Sequence, residues 1–278
     1  MKQFDGSVEK CGKVLLSVMA IAVLAACGGG GGGGGSVDPA YSLQNGGPGP
    51  AGASPGLGVA APYALFASSA AVTLDPTTRV SGNVGLSPIA ATCTNCTIGG
   101  TITTGVIENG TPAALAAQVA FNAAYVDAAN RATNACIIAN AELSSAQASC
   151  AGVINGPTYA PGLYKYGSGL HIGSTITLDA KGYPNAVFIF QADSTLITST
   201  GSKILLANGA QAKNVWWMVG SAATLANNSQ FKGTVLANGA AITVNTSAVG
   251  FPTVIEGRLL SHAAAITVGA YTTITLPP

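Results

Sequence analysis

The sequence predicts a mainly β fold, a stack of short-stranded coils with one long α-helix lying against it, and three observations predict this. Runs of alternating apolar residues broken by Gly, Pro and Asn occupy 62–110 and recur from Tyr159 to the end. Leu206-Ala207-Asn208-Gly209-Ala210 is nearly repeated as Leu236-Ala237-Asn238-Gly239-Ala240, the self-similarity of stacked coils. Between the two β regions, 113–133 contains neither Gly nor Pro.

The N-terminal stretch stands outside the fold. Lys2, Lys10 and Lys13 precede an apolar segment, 14–26, that is shorter than the ~20 residues of a membrane span, so residues 1–26 read as a signal peptide. Leu24-Ala25-Ala26-Cys27 resembles a lipobox, which implies acylation of Cys27 and a mature chain starting there; the alternative is an ordinary signal peptide with a chance cysteine. Gly28 stands where that pattern carries Asp for inner-membrane retention, so the expected location is the outer membrane or cell surface, with release outside the cell as a variant. The glycine run 28–35 and the Gly/Pro-rich stretch after it make 27–60 a tether with a span of roughly 30 Å.

The remaining 61–278 fits one domain. Only 8% of the chain is charged, against a usual ~25%, while 48% is hydrophobic, so Thr, Ser, Ala, Gly and Asn must form much of the surface. A net charge of +1 with no basic cluster argues against nucleic acid as a partner.

Each element follows from local chemistry. Val72-Thr73-Leu74 and Val80-Ser81-Gly82-Asn83 read as strands with turns. Thr111 as N-cap and Pro112 at the first helical position open a helix of about 112–133, whose stripe of Leu115, Val119 and Val126 with Ala116, Ala120 and Ala123 is expected to face the core. Residues 134–156 read as an ordered excursion bracketed by Cys136 and Cys150. In an exported chain the even set Cys93, Cys96, Cys136 and Cys150 reads as disulfides, Cys136 with Cys150 first and Cys93 with Cys96 second; a four-thiolate zinc site is the alternative, and no metal is expected. Trp216-Trp217 should send one ring inward and one outward.

In Val72-Thr73-Leu74, Ile176-Thr177-Leu178, Ile242-Thr243-Val244 and Ile266-Thr267-Val268, alternation turns the aliphatics inward and the threonine outward. Stacked coils would align Thr73, Thr177, Thr195, Thr224, Thr243 and Thr267 in a column flanked by Ala222, Ala241, Ala265 and Asn245, with Lys203, Asn227-Asn228 and Tyr271 interrupting it. The plainer reading is that threonine suits strands.

The chain contains, in order, Gly82-Asn83-Val84-Gly85-Leu86-Ser87-Pro88, Tyr159-Ala160-Pro161-Gly162-Leu163-Tyr164, Asn185-Ala186-Val187-Phe188-Ile189-Phe190-Gln191, Val215-Trp216-Trp217-Met218-Val219-Gly220 and Glu256-Gly257-Arg258-Leu259-Leu260. On these motifs, across Pro62 to Thr275, it resembles the ice-binding-protein-like family. The resemblance implies a right-handed, discontinuous β-solenoid of triangular section, a helix along one face, and first strands that complete the same stack as the last. With it, the threonine column becomes a candidate ice-binding surface, the partner being ice and the protein a monomer without cofactor. A structural or adhesive module for an extracellular polymer is the alternative function. Catalysis finds no support: His171 and His262 are the only histidines, and neither sits beside a nucleophile or metal-binding pattern.

Overall fold

A computed structural model describes residues 49, 51–87, 99–133, 135–145 and 157–278. The chain winds in coils that pass in turn through three faces, with neighbouring coils paired in parallel. One face is a sheet of six three-residue strands in the order Leu170–Ile172, Leu196–Thr198, Ala223–Leu225, Ile242–Val244, Ile266–Val268 and Val72–Leu74. The N-terminal coil lies beyond the C-terminal one: Val72 pairs with Ile266, Val80 with Ile274 and Leu65 with Leu259. Residues some 190 positions apart are thus neighbours, and the stack is completed by its own beginning, as the resemblance implies.

The other two faces form one continuous sheet of fifteen strands, because Gln230–Ala237 and Thr253–Ser261 run through the corner between them. Both bend at a glycine. Gly233 has φ 109°, and a Cβ on Gly257 would fall 1.8 Å from the Gly233 carbonyl oxygen, so the adjacent coils turn together only where neither carries a side chain.

Inward residues fill the prism. Tyr164, Phe190 and Trp217 occupy one register position on successive coils and stack with centroids 5.0 and 4.4 Å apart. Such pairs contribute about 0.5–1.5 kcal/mol each beyond the area they bury. The Trp217 indole donates to the Lys232 carbonyl at 2.9 Å, so its polar edge is satisfied inside the core. Trp216 points out of the prism, as alternation requires, yet is buried there by the helix layer and by a 2.8 Å bond from its Nε1 to Ser54 Oγ.

The helix spans Pro112–Asn130, with Thr111 Oγ1 accepting from Ala114 N at 3.2 Å. It stops three residues short of the expected 133 because the buried Gln191 amide donates to the Ala128 carbonyl at 2.6 Å and the Arg131 carbonyl at 2.8 Å, ending the helix on the sheet. The face it buries is not the expected one. Ala114, Ala117, Phe121, Ala124 and Ala128 pack on Phe66, Ile189, Trp216, Leu236 and Leu260, while Leu115, Val119 and Val126 face outward at 46%, 70% and 55% exposure. The physical reason is proximity: a helix laid on large outward side chains of a sheet needs small residues at the contact, so alanine goes in and the larger aliphatics go out.

Two segments outside the expected strands and helix are built into the body. Residues 51–60, expected as the end of the tether, pack against the helix: Ala51, Leu57 and Ala60 are buried, and Arg131 Nη1 donates to the carbonyls of Ala51 at 2.7 Å and Ala53 at 2.5 Å. The packed region thus begins about ten residues before Ala61. Within the excursion after the helix, the described residues pair with the end coil, Cys136 with Tyr164 and Glu142 with His171, and just beyond it Thr158 pairs with Thr177. Cys27, Cys93, Cys96 and Cys150 lie outside the described residues.

Candidate functional site

The six-stranded sheet turns one residue per strand outward. The flanking positions, Leu170, Leu196, Ala223, Ile242, Ile266 and Val72 on one side and Ile172, Thr198, Leu225, Val244, Val268 and Leu74 on the other, are buried. Between them runs a single outward column: His171, Ile197, Thr224, Thr243, Thr267 and Thr73. Parallel strands stand about 4.8 Å apart, so the last four set methyl and hydroxyl groups at that repeat.

A second column runs beside the first, two residues earlier on each strand and therefore on the same side of the sheet. It contains Thr195, Ala222, Ala241, Ala265 and Ala71. Its backbone register is fixed by bonds into the next coil, Leu196 N to Ala222 O at 3.0 Å, Ala223 N to Ala241 O at 3.2 Å, Ile242 N to Ala265 O at 3.0 Å and Ile266 N to Ala71 O at 3.0 Å. Four adjacent coils thus repeat Ala-x-Thr: Ala222/Thr224, Ala241/Thr243, Ala265/Thr267 and Ala71/Thr73. Two residues beyond the threonines, Asn245 is exposed and its backbone N bonds to Leu225 O at 2.8 Å, so it continues the same row as Ala241 and Thr243.

Charge appears only at the ends of this lattice. At one end Glu142 accepts 2.6 Å from His171 Nδ1, while His171 Nε2 lies 3.0 Å from Ser199 Oγ. Burial pushes the Glu142 carboxyl upward, but bonds from Ser144 and from Gly173 N, with the nearby His171, outweigh it and hold the group below its ordinary value. At the other end Asp75 is held low by the Thr77 backbone N–H and hydroxyl.

The structure brings together Thr224, Thr243 and Thr267, and with them Ala222, Ala241, Ala265 and Asn245. Thr195 joins the alanine column instead of the threonine column, whose member on that strand is Ile197. Thr177 is on a different face: it pairs with Leu205 and Thr158 in the fifteen-stranded sheet, since alternation says in or out but not which side of the prism. The expected interruptions fall away too. Lys203 pairs with Thr175 and Gln230 on that other face, and Asn228 and Tyr271, at φ 56° and 53°, turn corners. Thr73, expected in the column, pairs with Thr267 through the closure of the N-terminal coil onto the last one, and the same closure adds Ala71, which was not among the expected residues. Among the described residues no three His, Cys, Asp or Glu side chains gather as a metal site.

Comparison with known proteins identifies this architecture. The Ice-binding-like family model matches residues 66–274. The chain belongs to that family. The ice-binding protein of Flavobacterium frigoris (strain PS1) is 34% identical over 234 residues, covering 80% of this chain and 76% of the relative. An ice-binding protein from the fungus Typhula ishikariensis is 32% identical over 197 residues, covering 65% of this chain and 76% of its own. Among solved structures, an ice binding protein from an Antarctic biological consortium superposes with TM-score 0.66 at 33% identity, covering 81% of this chain and 92% of that one. The ice-binding-like family is one of binding proteins, not of enzymes.

Proposed function

We propose that this ice-binding-like chain adsorbs to ice through the six-stranded face, acting as an antifreeze or ice-adhesion protein held at the outer membrane or cell surface by an acyl group on Cys27. The carrying observation is the uncharged Ala-x-Thr lattice over four adjacent coils, on rigid parallel strands with fully buried flanks. Threonine methyls order water next to them while the hydroxyls hydrogen-bond it, and the alanines between leave room for that layer to lie against the sheet. The names of the relatives support ice as the ligand. The lipobox-like Leu24-Ala25-Ala26-Cys27 and the uncharged segment after it support the anchor. The even set Cys93, Cys96, Cys136 and Cys150 behind a signal-peptide-like start supports a disulfide between Cys136 and Cys150 in an oxidising compartment.

The test is ice-affinity partition of the purified chain mixed with a control protein while an ice hemisphere is grown slowly. Ice binding concentrates the chain in the ice and leaves the control in the liquid. Exclusion of both from the ice contradicts the function.

A further inference from the structure

The helix carries two apolar faces, and the fold uses one. Ala114, Ala117, Phe121, Ala124 and Ala128 are buried, while Leu115, Val119 and Val126, within a narrow arc at ~100° per residue, lie diametrically opposite and are exposed. A helix apolar all round is ordinarily covered all round. Asp127 is the only charged residue in its nineteen, and Arg131 pairs with it at 2.6 Å, so this side presents almost no charge to water. Among the described residues no helix is long and apolar enough to cross a membrane, so the stripe is not part of a span.

The path of the chain says what covers it. Residues 51–60 lie along one flank of the helix, Gly58 beside Ala120 and the carbonyls of Ala51 and Ala53 on Arg131. The N-terminal segment therefore leaves the body at the helix layer, on a different side of the prism from the Ala-x-Thr sheet. Cys27 is 24 residues before Ala51, and a Gly-rich segment of that length reaches roughly 25–30 Å. The helix is itself about 28 Å long at ~1.5 Å per residue. An anchor at Cys27 thus keeps the lipid within about one helix length of the exposed stripe.

We infer that the Leu115, Val119 and Val126 stripe lies on the lipid bilayer that holds the N-terminal segment, so that the six-stranded face is turned away from the membrane. This rests on the surface-anchored reading above. Docking seats three aliphatic side chains at the acyl boundary in the manner of an interfacial helix, and the exit point at the helix layer sets which face looks outward.

The experiment places an environment-sensitive fluorescent amino acid at 119 in one sample and at 243 in another. The full chain is reconstituted in phosphatidylethanolamine–phosphatidylglycerol vesicles containing brominated lipid, held there by the acyl group where Cys27 is acylated and by the retained apolar segment 14–26 where it is not. Docking predicts severalfold stronger bromine quenching at 119 than at 243, and loss of that difference in Leu115→Asp/Val126→Asp, whose thermal melt stays unchanged because both positions face water. Equal quenching at the two positions overturns the inference. So does a label at 119 that is shielded without vesicles, in a dimer of the chain. Acylation is read separately from the mass of Cys27, so an unmodified cysteine with strong quenching at 119 removes the lipoprotein reading and leaves the docking intact.

Discussion

Two faces of this prism share a backbone plan and differ in what they show to water. Both are parallel sheets over one core, with apolar residues inward on every strand. On the six-stranded face the outward residues of four adjacent coils are alanine and threonine. On the neighbouring face one outward column reads Thr175, Lys203, Gln230, Val254, Thr273, Arg79 and Thr101, and the next holds Lys232 ion-paired with Glu256 at 2.6 Å. Charged side chains bind water strongly and each in its own geometry, so the second face cannot impose one repeat on it. The difference between the proposed binding face and the solvated one thus lies in the outward residues, while an apolar inward side and parallel strand register are common to both.

The largest expected effect removes that common part. Trp217→Ala removes the largest ring of the Tyr164–Phe190–Trp217 stack and should destabilise the whole body by about 3–5 kcal/mol, lowering the thermal midpoint of both faces together. Separate transitions for labels on the two faces would break the premise of a shared core.

A smaller effect is confined to one end of the binding face. Because Glu142 is held below its ordinary value in the folded chain, its stabilisation is full above about pH 4.3 and is lost as the pH falls through the lower folded value. Amide exchange at Ser144 and Gly173, whose N–H groups it accepts, should accelerate on that descent while amides around Thr243 stay protected. Glu142→Gln should remove the acid dependence; its persistence would assign the effect elsewhere.

The smallest effect sharpens the contrast from the solvated side. Lys232→Ala breaks a partly exposed ion pair and should change stability by less than about 1 kcal/mol, with ice activity unchanged in a recrystallisation assay. A fall in activity would extend the binding surface round the corner.

What was legible in the sequence was set by short-range rules. Alternation gave the inward and outward residues of Ile242-Thr243-Val244, and Thr111-Pro112 gave the start of the helix, because each depends on a few adjacent residues. What was not legible depended on distant partners. Thr177, in Ile-Thr-Leu, has nearly the same setting as Thr73, in Val-Thr-Leu, yet the two occupy different faces because corner lengths decide where a strand falls. The helix stripe was misjudged because size was read as a sign of burial, whereas the sheet beneath already supplies the bulk in Phe66 and Trp216. Residues 51–60 have the composition of a linker, and the groups that fix them lie far along the chain, Arg131 about eighty positions away and Trp216 farther still.

The central claim is that one face, and not its neighbour, meets ice, and matched tyrosine substitutions test it most directly. Thermal hysteresis is measured for Thr224→Tyr and Thr243→Tyr on the six-stranded face and for Leu205→Tyr, an exposed outward position on the other. All three leave the buried residues untouched, so their melts should agree with the parent within about 0.5 kcal/mol. The account predicts that each threonine variant loses most of the hysteresis while Leu205→Tyr keeps it. Full hysteresis in both threonine variants, or its loss in Leu205→Tyr, contradicts it.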